Sequence, residues 1–189
     1  SVFKLVVAAA ALQEGLITPS DRLPCPASMQ IGNRTLRNWT PEDQGPIDIE
    51  RAIARSCNTF FYRLGLKVGI DRIASYARAF GFAQATGIML GDEKVGLLPT
   101  ATRASLTRVW SPGATANVAL GQGRVLVTPL QVARFMAAIA NGGILWRPRL
   151  VQRGDIAGDT VFSVAPEVTG HVALAPAVLA VLRRSLWAA

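Results

Sequence analysis

Ser1 and Lys4 stand three residues apart at the head of the run SVFKLVVAAAAL. On a helix, side chains at i and i+3 share one face, which puts a hydroxyl and an amine within hydrogen-bond reach of each other. A serine hydroxyl is a poor nucleophile until a base takes its proton. Lysine serves as that base only when its pKa falls from about 10.4 toward neutrality, a change of roughly 4 kcal/mol. Burial against an apolar helix pushes it in that direction. The pair therefore predicts acyl transfer, with Ser1 as nucleophile and Lys4 as its base.

A second short pattern, Ser56-Cys57-Asn58, falls at a junction between two helical stretches. Ser and Asn are ordinary capping residues, so the structural reading is that Asn58 caps the helix beginning TFFYRLG. Cys57 has no cationic neighbour in sequence to lower its pKa and reads as a packed, inert thiol. The only other cysteine is Cys25 and the only histidine is His171. Without a Cys-x-x-Cys pair or a Cys/His cluster, a structural zinc site is excluded. The two cysteines can form one disulfide or stay free, and free thiols are the expectation.

The elements that must carry these residues read as mostly helical. The chain has 189 residues, 50% hydrophobic and 17% charged, enough for a core and too apolar for general disorder. One domain over 1–189 is expected. Residues 2 to about 14 are apolar nearly all round and stop at Gly15, the pattern of a core helix. Residues 18–46 read as an extended loop with a hairpin around IGNRT. A second helix is expected to start at Pro46 and end near Cys57, a third to run from about Asn58 to Gly69, and a fourth to open at Asp71 and close at Gly81. Residues 82–100 are turn-rich with room for one short strand, 101–109 suit a short helix, and 110–123 (WSPGATANVALGQG) read as a loop. Thr128-Pro129-Leu130-Gln131 is a strong helix start, with a stop at Gly142-Gly143. Residues 144–153 read as a strand interrupted by Pro148, with 160–164 as its partner, and 176–187 as a last helix.

Composition narrows the function. The formal net charge is +8 and Lys4, Lys67 and Lys94 are the only lysines. The arginines are scattered singly without a basic run or interleaved aromatics, so no nucleic acid is expected as a partner. No stretch reaches the roughly 18 apolar residues that span a bilayer. A signal-peptide reading of the first residues fits poorly, because QEGLITPSD follows as an ordinary helix end and turn. Gly121-Gln122-Gly123 lacks the pattern and context of a phosphate loop and reads as a structural turn near the site. Of Trp39, Trp110, Trp146 and Trp187, only Trp110 is a candidate for substrate contact.

Taken together, S-x-x-K at Ser1–Lys4 and S-x-N at Ser56–Asn58 resemble the first two of the three motifs of penicillin-recognising serine enzymes. SCNTFFYRLGLKVGIDRIASYARAFGF is similar to the segment around the second motif of class B penicillin-binding proteins. WSPGATANVALGQGRVLVTPLQVARFMAAIANGG is similar to their long segment ahead of the third motif. Within the class the likeness is greatest to penicillin-binding protein 2, the elongation-specific transpeptidases, and it covers residues 1 to about 150.

The resemblance implies the helical part of the α/β penicillin-binding transpeptidase (serine β-lactamase-like) fold, with most of the central sheet missing. It implies a peptidoglycan D,D-transpeptidase that forms a serine acyl-enzyme with D-Ala-D-Ala stem peptides and is inhibited by β-lactams. Ser1 would attack, Lys4 would act as base, Ser56 would relay the proton to the leaving nitrogen, and Asn58 would hold the substrate amide and help orient Lys4. Ser56, Asn58 and Trp110 would touch substrate. No cofactor is implied, because Ser and Lys suffice for acyl transfer. Implied partners are stem peptides, β-lactams and membrane proteins of the elongation machinery; the implied location is the periplasmic side of a bacterial inner membrane, with the anchor outside this sequence.

The departure is the third motif. Lys67 and Lys94 are each followed by Val, and no Lys-Thr-Gly occurs. In the family that strand recognises the substrate carboxylate and supplies an oxyanion donor, and losing one such donor costs about 10²–10³ in rate. The expectation is a fragment lying between the nucleophile and the third motif, weak or inactive alone. The alternatives are a β-lactam-sensing or degenerate non-catalytic module, and an N-terminal nucleophile hydrolase. The last places its nucleophile at the start of a strand, whereas Ser1 leads into a helix.

Overall fold

The computed structural model describes residues 1–100, 110–157 and 159–189; the short helix expected over 101–109 lies outside the described residues. Seven helices and eight short strands occur among them: α1 Lys4–Gln13, α2 Ile49–Ala54, α3 Asn58–Val68, α4 Ile70–Ala79, α5 Pro112–Ala119, α6 Pro129–Asn141 and α7 Pro176–Trp187, with β1 Leu23–Pro24, β2 Ser28–Ile31, β3 Arg34–Arg37, β4 Pro46–Ile47, β5 Ile144–Trp146, β6 Arg153–Ile156, β7 Asp159–Ser163 and β8 Val168–His171. The strands form four two-stranded antiparallel sheets. The expected mostly helical fold with little sheet is what the chain adopts.

Helix α1 is the centre. Leu5 to Ala11 are each at most 2% exposed, because α3, α4 and α7 surround the helix. Its small alanines let those neighbours approach closely, and burying Leu5, Val6 and Val7 contributes about 1.5–3 kcal/mol each. Ahead of α1, Phe3 stacks on Phe82 at 5.7 Å, and Phe82 in turn meets Phe135 at 5.1 Å. The turn that carries Ser1 is thus pinned by an aromatic plug.

The crossing of α3 and α5 is equally tight. A Cβ on Gly65 would lie 2.3 Å from the Ala119 Cβ, so only glycine permits this approach. At the start of α6, Thr128 and Gln131 form a reciprocal capping box with Pro129 at the first helical position, as the sequence predicts. The hairpin over IGNRT is also present, with Ile31 opposite Arg34 across Gly32-Asn33.

Four expectations are corrected. Pro46–Ile47 do not begin a helix but pair with Leu23–Pro24; the true cap is Asp48, whose carboxylate accepts from the Arg51 N–H at 2.8 Å, and α2 ends at Ala54. Within 110–123, Pro112–Ala119 is helical rather than loop, capped by Ser111. The stretch 144–153 is not one strand: β5 takes only its first three residues and pairs with β8. Residues 160–164 meet just its end, where β6 and β7 pair, with Ser163 opposite Arg153 and the Val164 N–H on the Gln152 carbonyl at 2.9 Å. The free thiols are absent, since Cys25 and Cys57 form a disulfide.

Candidate active site

Four of the five predicted residues meet at one point, where the head of α1 faces the α2–α3 junction. Lys4 is the first residue of α1 and only 3% exposed. Its Nζ donates to Ser56 Oγ at 2.7 Å, to the Ser56 carbonyl at 2.8 Å and to Asn58 Oδ1 at 2.7 Å. The ammonium therefore has all three of its donors satisfied. Nζ also lies 5.7 Å from the centroid of the Phe61 ring. Burial lowers the Lys4 pKa from its ordinary 10.5 to about 8, because the charged form loses more hydration than the neutral amine.

Ser1 is not on the helix itself but in the turn before it, where its carbonyl accepts from the Lys4 N–H at 3.0 Å. Its hydroxyl lies 2.8 Å from Ser56 Oγ. Among the described hydrogen bonds, none joins Ser1 Oγ directly to Lys4 Nζ; the path runs Ser1–Ser56–Lys4. The i, i+3 spacing brings Ser1 and Lys4 to one site, and a third residue 52 positions beyond Lys4 completes the link.

Ser56 occupies the left-handed region, with φ 51°. A non-glycine residue held there costs on the order of 1–3 kcal/mol and persists where its surroundings over-determine it. The consequence is useful: both the hydroxyl and the carbonyl of Ser56 face Lys4. Asn58 is the first residue of α3 and not its cap; Cys57 takes that position, its Sγ accepting from the Phe60 N–H at 3.3 Å. The Asn58 side chain is thereby free to receive Lys4.

Trp110, the fifth predicted residue, is hydrogen-bonded within its own segment, its Nε1 donating to Thr115 Oγ1 at 2.7 Å. The following residues Ser111–Ala114 line a groove of about 380 Å³ against the β2–β3 hairpin, with Arg34 on the opposite wall. Gly121-Gln122-Gly123 is the structural turn expected. Gly121, at φ +75°, backs directly onto Phe3, where a Cβ would approach to 2.6 Å.

Sequence reasoning missed Phe3, Gly121's contact with it, and Asn38. Asn38 Oδ1 accepts from the Asn58 N–H at 2.9 Å, although 20 residues separate them. Phe3 had a signal, an aromatic between the two motif residues; Asn38 had none.

A buried lysine hydrogen-bonded to Ser56 and Asn58, with the Ser1 hydroxyl reached through Ser56, has the groups that serine acyl transfer requires. The family profile described as "Penicillin binding protein transpeptidase domain" matches residues 1–184, and the chain belongs to that family. It is 37% identical over 175 residues to the peptidoglycan D,D-transpeptidase MrdA of Salmonella typhimurium (strain LT2), an alignment covering 89% of this chain and 28% of that protein. Among solved structures it is similar to Pseudomonas aeruginosa PBP2 in complex with WCK 5153, with 34% identity, a TM-score of 0.81, and coverage of 100% of this chain and 42% of that one. It is also similar to PBP2 in the complex of PBP2 and MreC from Helicobacter pylori, with 27% identity, a TM-score of 0.84, and coverage of 100% and 34%. The chain thus spans between a quarter and a half of the length of these relatives.

Proposed function

We propose that the protein is a peptidoglycan D,D-transpeptidase of the penicillin-binding protein 2 type, and that these 189 residues are the part of a single transpeptidase domain that carries its nucleophile and base. The observation that carries the reading is the hydrogen-bonded chain Ser1–Ser56–Lys4–Asn58.

In this reading Ser1 Oγ attacks the carbonyl between the two terminal D-alanines of a stem peptide. The Ser1 proton passes through Ser56 Oγ to the neutral amine of Lys4. The C–N bond breaks, Ser56 hands a proton to the leaving D-alanine nitrogen, and an ester to Ser1 remains. An amine from a neighbouring stem then attacks the ester and forms the cross-link. Asn58 orients Lys4 and presents its amide to the substrate backbone. Trp110, the neighbour in sequence of the groove-lining residues Ser111–Ala114, is the remaining candidate for substrate contact. No Lys-Thr-Gly is among these residues, so on their own they are a weak catalyst or none. β-Lactams acylate Ser1 by the same first step.

The reading carries with it a location on the periplasmic side of a bacterial inner membrane and contact with an elongation partner; the Helicobacter pylori PBP2 forms a complex with MreC. Among the described residues no helix is long and apolar enough to cross a membrane. The Cys25–Cys57 disulfide fits an oxidising compartment. The test is release of D-alanine from a synthetic pentapeptide ending in D-Ala-D-Ala by the natural protein. Release lost in Ser1→Ala supports the reading; no release and no β-lactam adduct leaves a degenerate binding module.

A further inference from the structure

Ser56 sits in a left-handed conformation between two helices, and three contacts from one neighbouring segment hold it there. Just past β3, Trp39 donates its indole N–H to the Arg55 carbonyl at 2.8 Å, gripping the residue before Ser56. Asn38 accepts the Asn58 N–H at 2.9 Å, gripping the residue two beyond it. Between them Cys57 is covalently tied to Cys25.

The holding segment is itself anchored. The Asn38 N–H bonds the Ala27 carbonyl at 2.8 Å, and the Cys25 N–H bonds the Gly45 carbonyl at 2.9 Å. Asn38 Nδ2 reaches Cys25 Sγ at 3.6 Å, so the amide and the disulfide touch. Asn38 is 9% exposed and Cys25 fully buried. The Asn58 N–H is one of the orphan donors at the start of α3, and Asn38 gives it a partner. That fixes where the Asn58 side chain, and through it Lys4, comes to rest.

We infer that Asn38 is a positioning residue for acyl transfer, which acts with Trp39 and the Cys25–Cys57 bridge to clamp the Ser56-Cys57-Asn58 junction in the geometry that faces Lys4. It touches none of the reacting atoms. Its contribution is angular and sub-ångström, the range in which misplacement costs on the order of 10²-fold in rate. The inference rests on the penicillin-binding reading above.

The test uses the natural protein and the chromogenic cephalosporin nitrocefin, separating the acylation rate constant from the dissociation constant of the non-covalent complex. Asn38→Leu removes the acceptor at similar volume, while Asn38→Asp keeps an acceptor for the Asn58 N–H. Trp39→Phe replaces the indole by a smaller ring and removes its N–H donor to the Arg55 carbonyl, at a position 64% exposed. The expected result is a fall of about 10- to 100-fold in the acylation constant for Asn38→Leu, with binding changed less than about threefold. Asn38→Asp should stay within about threefold of the natural protein, and Trp39→Phe should fall a fewfold. Equal losses in Asn38→Leu and Asn38→Asp, or an acylation constant unchanged in both Asn38→Leu and Trp39→Phe, overturn the clamp while leaving the penicillin-binding reading intact. A natural protein that nitrocefin does not acylate overturns that reading, and the clamp with it.

Discussion

Lys4 makes two hydrogen bonds to Ser56, one to its hydroxyl at 2.7 Å and one to its carbonyl at 2.8 Å. A single residue can offer both acceptors to one ammonium because Ser56 adopts φ 51°. The strained serine, rather than the helix that Lys4 begins, defines the geometry of the site. It also interposes a hydroxyl between the amine and Ser1.

The amine must be neutral to accept a proton. With Lys4 at about 8, the acylation rate should climb with pH up to about 8 and then level. Lys4→Arg keeps the charge but cannot lose the proton. The expected loss is about 10²–10⁴-fold, read as the rate of fluorescent-penicillin labelling from pH 6 to 9.

The same residue sets a stability slope. The Lys4 pKa is lower folded than unfolded, so between about 8 and 10.5 the unfolded chain binds more protons. Stability must therefore rise with pH across that window, and the cost of burying the ammonium is fully present below it. Urea melts of the natural protein and of Lys4→Met at pH 7.5 and 9.5 check this. The upward slope should appear in the first and be missing in the second.

Cys25 and Cys57 close a loop with a sequence separation of 32. Cross-linking a loop of that length stabilises by about 3–4 kcal/mol through the unfolded chain. Adding reductant to the natural protein should lower the denaturant midpoint accordingly. Replacing both with alanine should lower it further, because that also removes two buried sulfurs and the Cys57 cap on the Phe60 N–H.

Two glycines should resist alanine for different reasons. At Gly65 a Cβ would meet Ala119 Cβ at 2.3 Å, so Gly65→Ala should destabilise by about 1–3 kcal/mol through overpacking. At Gly121 the Cβ would meet Phe3 at 2.6 Å, from a backbone with φ +75°. Phe3 lies between the nucleophile and the base, so Gly121→Ala should slow acylation as well as lower the thermal midpoint. Acylation at the natural rate would contradict the role given to the Phe3 plug.

The helices that declare themselves locally were legible. Thr128-Pro129 and Gln131 announce α6, and the apolar run after Lys4 announces α1. The start of α5 carries the same kind of signal in Ser111-Pro112, but Gly113 and the small residues after it masked the helix. What escaped was long-range. β5 selects β8 across more than 20 residues, and no local pattern encodes that choice. The disulfide joins residues whose spacing alone permits either state. The meeting of Lys4 with Ser56 and Asn58 was legible only through the combined motifs, because no periodicity links positions more than 50 apart. Asn38 was invisible, since its role is a hydrogen bond to a distant backbone amide.

The most direct measurement is mass spectrometry of the natural protein after incubation with benzylpenicillin, followed by peptide mapping. The account predicts one covalent adduct, on Ser1, absent from Ser1→Ala and strongly slowed in Lys4→Arg. An adduct on any other residue, or one that survives Ser1→Ala, would contradict it.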